Sequence, residues 1–264
     1  MAIPFPDIDP VLVSFGPLAV SWYSLSYVAG IILAIEYIKY LNRKLGHPLD
    51  KKFFDDLITW SILGIVIGGR LGYVFIYAPS YYLSNPSEII KTWNGGMSFH
   101  GGLVGLITAT YLLSRKYKAN FLLLTDLIAS AAPIGLFLGR IANFINGELY
   151  GRTTDAPWGV IFPNAGPLPR HPSQIYESLT EGLILFIIMS LLFHYTKFKE
   201  KHGALFGVFL IGYSIFRTLI ENFREPDSHI GFLFKSITMG QTLSLPMLIL
   251  GGYLILRQRK DATI

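Results

Sequence analysis

The sequence predicts an all-α integral membrane protein of about seven transmembrane helices, and three observations lead there. Apolar residues make up 52% of the 264 residues and charged ones only 15%, which leaves too little polar surface for an ordinary water-soluble domain. Apolar runs of roughly 20 residues, the length that crosses a hydrocarbon core, recur along the chain. Basic residues lie between those runs rather than in one patch, so the net charge of +5 speaks of membrane topology and not of nucleic acid. Residues 1–264 therefore read as a single polytopic membrane domain.

The N-terminal arm carries Asp7 and Asp9 but no basic residue. Without a basic n-region or a small-residue cleavage site it does not resemble a signal peptide, so the first helix is expected to be retained. The expected spans are Leu18 to Ile38, Phe54 to Tyr77, Met97 to Ser114, Phe121 to Phe144, Gln174 to Tyr195, Ala204 to Glu221 and Ile237 to Leu256. "APSYYLSNPSEIIKTW", Ala78 to Trp93, mixes aromatic and apolar residues with few charges, as an interfacial helix does. The segment from Ile145 to Ser173 is rich in proline and glycine and predicts a compact irregular structure. Together the stretches near 78–96 and 145–173 are expected to cap one face of the membrane domain.

Charge fixes the orientation. Lys39, Arg43, Lys44, Lys51 and Lys52, then Arg115, Lys116 and Lys118, then Lys197, Lys199 and Lys201, and finally Arg257, Arg259 and Lys260 fall on one side, fourteen in all. Only Lys91, Arg152, Arg170, Arg224 and Lys235 fall on the other. The positive-inside rule then puts the N-terminus outside and the C-terminus inside.

Three of the 22 basic residues, Arg70, Arg140 and Arg217, remain inside expected spans, each toward an outer helix end. Snorkelling to the headgroups would account for one such arginine. Three at a similar depth, with Tyr23, His100, Asn143, Asn146, Glu148, Glu221 and Arg224 nearby in the same outer zone, favour a site. Glycine pairs four apart precede two of them, in "GIVIGGR" and "GLFLGR", and suit close helix packing.

The chain has no cysteine, which excludes disulfides, thiolate metal sites and a cysteine nucleophile of its own. GxSxG, HExxH and GxxxxGK motifs are missing too. Of six histidines, His47, His194 and His202 fall in or beside inner loops, His229 in an outer one, and His171 just ahead of a helix start. Only His100, in "GGMSFHGGLVG", combines membrane depth with the arginine side. Guanidinium is a permanent cation with a planar fork of donors, suited to phosphate. The residues alone thus favour a protein that binds, moves or chemically modifies an anionic lipid of the outer leaflet. A transporter or flippase for that lipid is the alternative, but it requires paired halves and a midplane site, whereas the inner halves here look uniformly apolar.

"GRIANFINGELYG", Gly139 to Gly151, resembles the signature of the prolipoprotein diacylglyceryl transferase family. "SWYSLSYVAG", "GGRLGYVFIY", "WNGGMSFHGGLVG", "LPRHPSQIYE", "FRTLIENFREPD" and "TMGQTLSLPM" follow in the family's order, so the resemblance covers nearly the whole chain. Ala142 stands where glycine is common, a small departure. The resemblance implies an enzyme of the bacterial inner membrane with its site on the periplasmic side. It implies transfer of the diacylglyceryl group of phosphatidylglycerol to the lipobox cysteine of a prolipoprotein signal peptide, with membrane lipids as surroundings. No cofactor and no metal are expected. The family's roles carry onto Tyr23, His100, Arg140, Asn143, Glu148, Gly151 and Arg217. Arg140 is then the expected phosphate ligand and His100 the base or thiol-orienting group. Arg217 is expected to assist the phosphate or guard peptide access, with Asn146, Arg70, Glu221 and Arg224 as further substrate-side residues. Glu221 and Arg224 are expected to pair across one helical turn, and Gly151 to permit a tight loop.

Overall fold

The computed structural model describes residues 2–16, 18–46, 49–225, 232–233 and 237–257. His47, His229, Lys235, Arg259 and Lys260, and the end of the "FRTLIENFREPD" motif, lie outside the described residues.

Helix dominates. In chain order the helices are α1 (Trp22–Lys44), α2 (Lys51–Gly72, continued by a π-helical turn at Tyr73–Tyr77), α3 (Pro79–Ser84), α4 (Phe99–Lys116) and α5 (Phe121–Ile145). They are followed by α6 (Ser173–Tyr195, π-helical at Ser178–Ile184), α7 (Ala204–Ile220) and α8 (Met239–Leu256). Among the described residues four helices, α1, Lys51–Tyr77, α5 and α6, are long and apolar enough to cross a membrane, with Ala204–Ile220 and Gly240–Leu256 as shorter apolar helices. The expected span at Met97 to Ser114 forms a helix, α4, but does not join those four. His100, Thr108, Thr110, Ser114 and the basic end at Arg115 and Lys116 dilute its apolar character. Long side chains such as Ile32, Leu33, Leu63 and Ile67 stand exposed along α1 and α2, as on helices whose neighbour is hydrocarbon.

The purely helical expectation needs one correction. Leu18–Ser21, assigned above to the first span, is a strand that pairs antiparallel with Val11–Phe15. Alternating Val-Leu-Val-Ser-Phe and Leu-Ala-Val-Ser sequences suit a pleated ribbon, and Gly16 at φ 59 supplies the left-handed residue between them. The helix therefore starts later, at Trp22, and runs on to Lys44. Two further two-stranded ribbons are present among the described residues, Ile3–Pro4 with Val160–Ile161 in parallel and Phe232–Leu233 with Ile237–Thr238 antiparallel.

The chain forms two compact units, residues 1–41 with 126–264, and residues 42–125. In the second unit α2 and α4 run antiparallel at glycine-to-glycine contact. A Cβ on Gly105 would overlap the Gly64 carbonyl oxygen, and one on Gly68 the Gly101 carbonyl oxygen. The "GLFLGR" glycines behave differently, since a Cβ on Gly135 or Gly139 would meet no atom within 4 Å. The loop after α2 contains α3 and 3-10 turns at Pro86–Ile90 and Thr92–Asn94, and leaves Leu83, Ile90 and Trp93 exposed.

In the first unit, Asp126 near the start of α5 accepts the backbone N–H groups of Gly203 and Phe206, each at 2.7 Å, and so caps α7 from another helix. Residues 146–172 are tied down by bridges of Gly151 to Arg224 and of Arg170 to Thr153 and Val160. Beneath them Phe5, Phe144 and Phe162 form a triangle with ring centroids 5.4–5.9 Å apart.

Candidate active site

The first unit concentrates charge where three helices meet. Arg140 lies near the C-terminal end of α5, Arg217 near that of α7, and Arg224 just beyond α7. Glu177 and Glu181 stand one turn apart on α6, around its π-helical stretch. Ser178 Oγ donates to the Phe137 carbonyl at 3.2 Å, and Gly182 lies against Phe137 so closely that a Cβ would sit 2.7 Å from its Cα. This contact presses α6 onto α5 and brings both glutamates to the arginines.

Glu177 organises the centre. Its Oε1 accepts hydrogen bonds from Arg217 Nη1 and Arg224 Nη1, both at 2.9 Å, and its Oε2 lies 2.9 Å from Arg140 Nε. Arg217 Nη2 meets Glu221 Oε2 at 3.1 Å, and Arg140 Nη2 lies 3.7 Å from Glu181 Oε2. Both α6 glutamates have side chains 0% exposed. Three cations facing three carboxylates can be buried; any one left alone there would carry a prohibitive desolvation cost.

Arg140 differs from its neighbours. Its contacts are ion pairs without hydrogen-bond alignment, because Glu177 Oε2 and both Glu181 oxygens have no hydrogen-bond partner among the described residues. Its side chain retains 17% exposure, and the glycines at 135 and 139 place no side chain beside it. It is a half-buried cation that, among the described residues, is held by charge alone.

A polar ring follows Arg140 in sequence. Asn143 Nδ2 and Asn146 Nδ2 both donate to Glu148 Oε1, at 2.8 and 3.2 Å. The Tyr23 hydroxyl lies 3.1 Å from that of Tyr27 and interacts with Asn143 and Glu148. Gly147 at φ 65 and Leu149 at φ 57 turn the chain. Gln174 Nε2 and Ser173 Oγ pin that turn by donating to the carbonyls of Glu148 and Leu149 at 2.6 and 3.0 Å. Gly151 donates its N–H to the His171 carbonyl at 2.9 Å, and a Cβ there would overlap the Phe223 carbonyl oxygen. His171 Nδ1 lies 3.1 Å from the Tyr176 hydroxyl, which accepts from Trp158 Nε1 at 2.7 Å, and burial pushes the His171 pKa down. Burial thus favours the neutral imidazole, which belongs to the packing around Tyr176.

Two of the sequence candidates belong to the second unit. Arg70 is buried under its own loop. Nε donates to Ile89 O, Nη1 to Gly95 O and Gly96 O, and Nη2 to Glu88 O and Lys91 O, at 2.5–3.1 Å. The Tyr82 ring lies 5.1 Å from its guanidinium carbon. All five N–H groups are committed, leaving none for a phosphate. His100 stands exposed in the first turn of α4, edge-on to Phe99 at 5.5 Å.

Arg140, Arg217, Arg224 and Glu221, grouped from the sequence, come together in the structure around Glu177 and Glu181, two residues that the sequence reading overlooked. The available signal was "YESLTEG", two carboxylates four residues apart inside an apolar run, which is as anomalous as an embedded arginine. Glu221 and Arg224 share no helical turn, because α7 ends at Ile220.

Apolar membrane-length helices and an arginine–glutamate centre with fully buried glutamates mark a helical membrane protein. The prolipoprotein diacylglyceryl transferase family model matches residues 10–257, and the chain belongs to that family. It is 58% identical over 251 residues to the phosphatidylglycerol–prolipoprotein diacylglyceryl transferase of Rickettsia felis, covering 95% of this chain and 97% of the relative. The like-named proteins of Rickettsia canadensis and Rickettsia typhi are 57% and 55% identical over 251 and 252 residues, at 95% and 96% of this chain and 97% of each relative.

Proposed function

We propose that this protein transfers the sn-1,2-diacylglyceryl group of phosphatidylglycerol to the lipobox cysteine thiol of prolipoproteins, the first step of lipoprotein maturation. The thiolate sulfur forms a bond to the glyceryl carbon as the carbon–oxygen bond to phosphate breaks. A thioether results, glycerol phosphate leaves with the electron pair, and the thiol proton passes to a base. The observation that carries this reading is Arg140, a half-buried cation with an unaligned donor fork. A phosphate oxygen placed along those N–H groups gains charge-assisted hydrogen bonds that strengthen as the leaving group develops charge.

Arg217 supplies the second cation. Asn143, Asn146, Glu148 and Tyr23 orient the glyceryl region, and Gly151 and Arg224 hold the loop against the centre. His100 is the base or the thiol-orienting group, since a thiol of ordinary pKa about 8.5 must be brought to its thiolate at neutral pH. Arg70 serves by shaping its loop rather than by touching substrate. The chain is read as one polytopic membrane domain of seven spans in the bacterial inner membrane. Its N-terminus and site lie on the periplasmic side, capped by residues near 78–96 and 145–173, in line with the basic-residue asymmetry.

Purified protein mixed with phosphatidylglycerol vesicles and a lipobox peptide should add one diacylglyceryl mass to the peptide cysteine and release one glycerol phosphate per event. Folded protein that yields neither product overturns the assignment.

A further inference from the structure

Glu177 and Glu181 sit one turn apart on the same helix, both fully buried, yet they are bound to the arginines in different ways. Glu177 Oε1 holds two aligned hydrogen bonds at 2.9 Å. Glu181 has none on either oxygen among the described residues, and its ion-pair contact with Arg140 is at 3.7 Å. The groups that face it are Glu177 on its own helix, Arg140 from α5, Tyr213 and Arg217 from α7, and Arg224 beyond α7.

We propose that Glu181 is the resting counter-anion of Arg140, which the lipid phosphate displaces and the departing glycerol phosphate yields back to, while Glu177 is the fixed support of all three arginines. This rests on the phosphate reading of Arg140 given above. A cation largely removed from water, as Arg140 is at 17% exposure, needs an anion when no lipid is bound, or its desolvation would destabilise the site. That anion must also be weak enough to yield. A phosphate aligned with the guanidinium fork at about 2.8 Å outcompetes a carboxylate that is farther away and unaligned. Glu181 meets both requirements, and Glu177, tied to two other arginines, meets only the first. Glu181 is thus a positioning residue that acts through Arg140.

The test compares Glu181→Gln with Glu177→Gln in purified, detergent-solubilised full-length protein. Removing the competing charge in Glu181→Gln should lower the KM for phosphatidylglycerol about threefold or more and strengthen inhibition by glycerol phosphate by a similar factor. The kcat should fall as product release slows. Glu177→Gln should raise KM, because the arginines lose their common support. Direct calorimetric binding of glycerol phosphate, tighter in Glu181→Gln than in wild type, reads the same effect without turnover. Glu181→Leu should shift it in the same direction if the amide variant folds poorly. An unchanged or raised KM together with unchanged or weaker glycerol phosphate binding in folded Glu181 variants overturns the proposal. Absence of thioether product with wild-type protein would instead overturn the transferase reading, and the binding comparison would still decide the role of Glu181.

Discussion

Arg70 and Arg140 each follow a glycine near the end of an apolar helix, in "GIVIGGR" and "GLFLGR", and local sequence treats them alike. Their surroundings make them opposites. Five backbone carbonyls from residues 88–96 saturate Arg70, turning a cation into the scaffold of its loop. Among the described residues two carboxylates hold Arg140 by charge with no aligned hydrogen bond. An intramembrane arginine is therefore diagnostic of a ligand site only once its donors have been counted.

Arg70→Met should have the greatest consequence. It removes the donor of five part-buried carbonyls, each costing up to about 1–3 kcal/mol where water does not take the donor's place, so a fall in thermal stability and loss of the ordered loop are expected. A stable variant with unchanged melting would mean that water can replace the guanidinium. Arg140→Ala should leave the protein inserted but reduce transfer about 10²–10³-fold, the usual cost of losing one group that stabilises developing charge. Arg140→Lys should recover only part of that, since ammonium lacks the planar fork; full activity in Arg140→Lys would show that charge alone suffices. Gly151→Ala forces a methyl onto the Phe223 carbonyl and the His171 side chain, the latter at 2.8 Å. Overpacking of this kind costs about 1–3 kcal/mol, visible as a lower melting temperature and as faster proteolysis around residues 151–153. Equal stability would show that the bridge to Arg224 can spread apart.

The smallest effect belongs to the Arg70 loop. Lys91, 2.6 Å from Glu88, holds the Glu88 carboxyl below its ordinary value of 4.5. Its folded pKa being the lower one, the pair contributes fully above the unfolded value and is lost as pH falls through the folded value. Glu88→Gln should flatten that acid limb of the stability curve slightly and leave neutral-pH stability almost unchanged. A marked loss at pH 7 would contradict the view that this half-exposed pair adds little.

Much of the helical scaffold was legible because span length and apolarity are local properties. Phe121–Ile145 and Ser173–Tyr195 agree with expectation to within a residue. The first span was misplaced at its start because Leu18–Ser21 is as apolar as the helix it precedes, and only pairing with Val11–Phe15 makes it a strand. The glycine pair at 64 and 68 was read as a packing seam and is one; at the pair 135 and 139, of the same spacing, a Cβ on Gly30 would sit 3.4 Å from the Gly135 Cα, but a Cβ on either glycine of the pair would meet no atom within 4 Å. Spacing alone does not say how closely a partner helix approaches.

By itself, the sequence determined that this chain is a helical membrane protein carrying embedded charge, and its motif order matched a transferase family. Composition, run length and the position of basic residues settle such matters, since each reflects the cost of placing a residue in hydrocarbon. Tertiary structure alone decided which embedded arginine is saturated by backbone carbonyls and which is held by carboxylates. That depends on carbonyls up to 26 residues away for Arg70 and on carboxylates 37 and 41 positions along for Arg140, contacts that no local pattern encodes. Glu177 became visible for the same reason: it gains meaning only when α5, α6 and the end of α7 bring three guanidinium groups around one carboxylate.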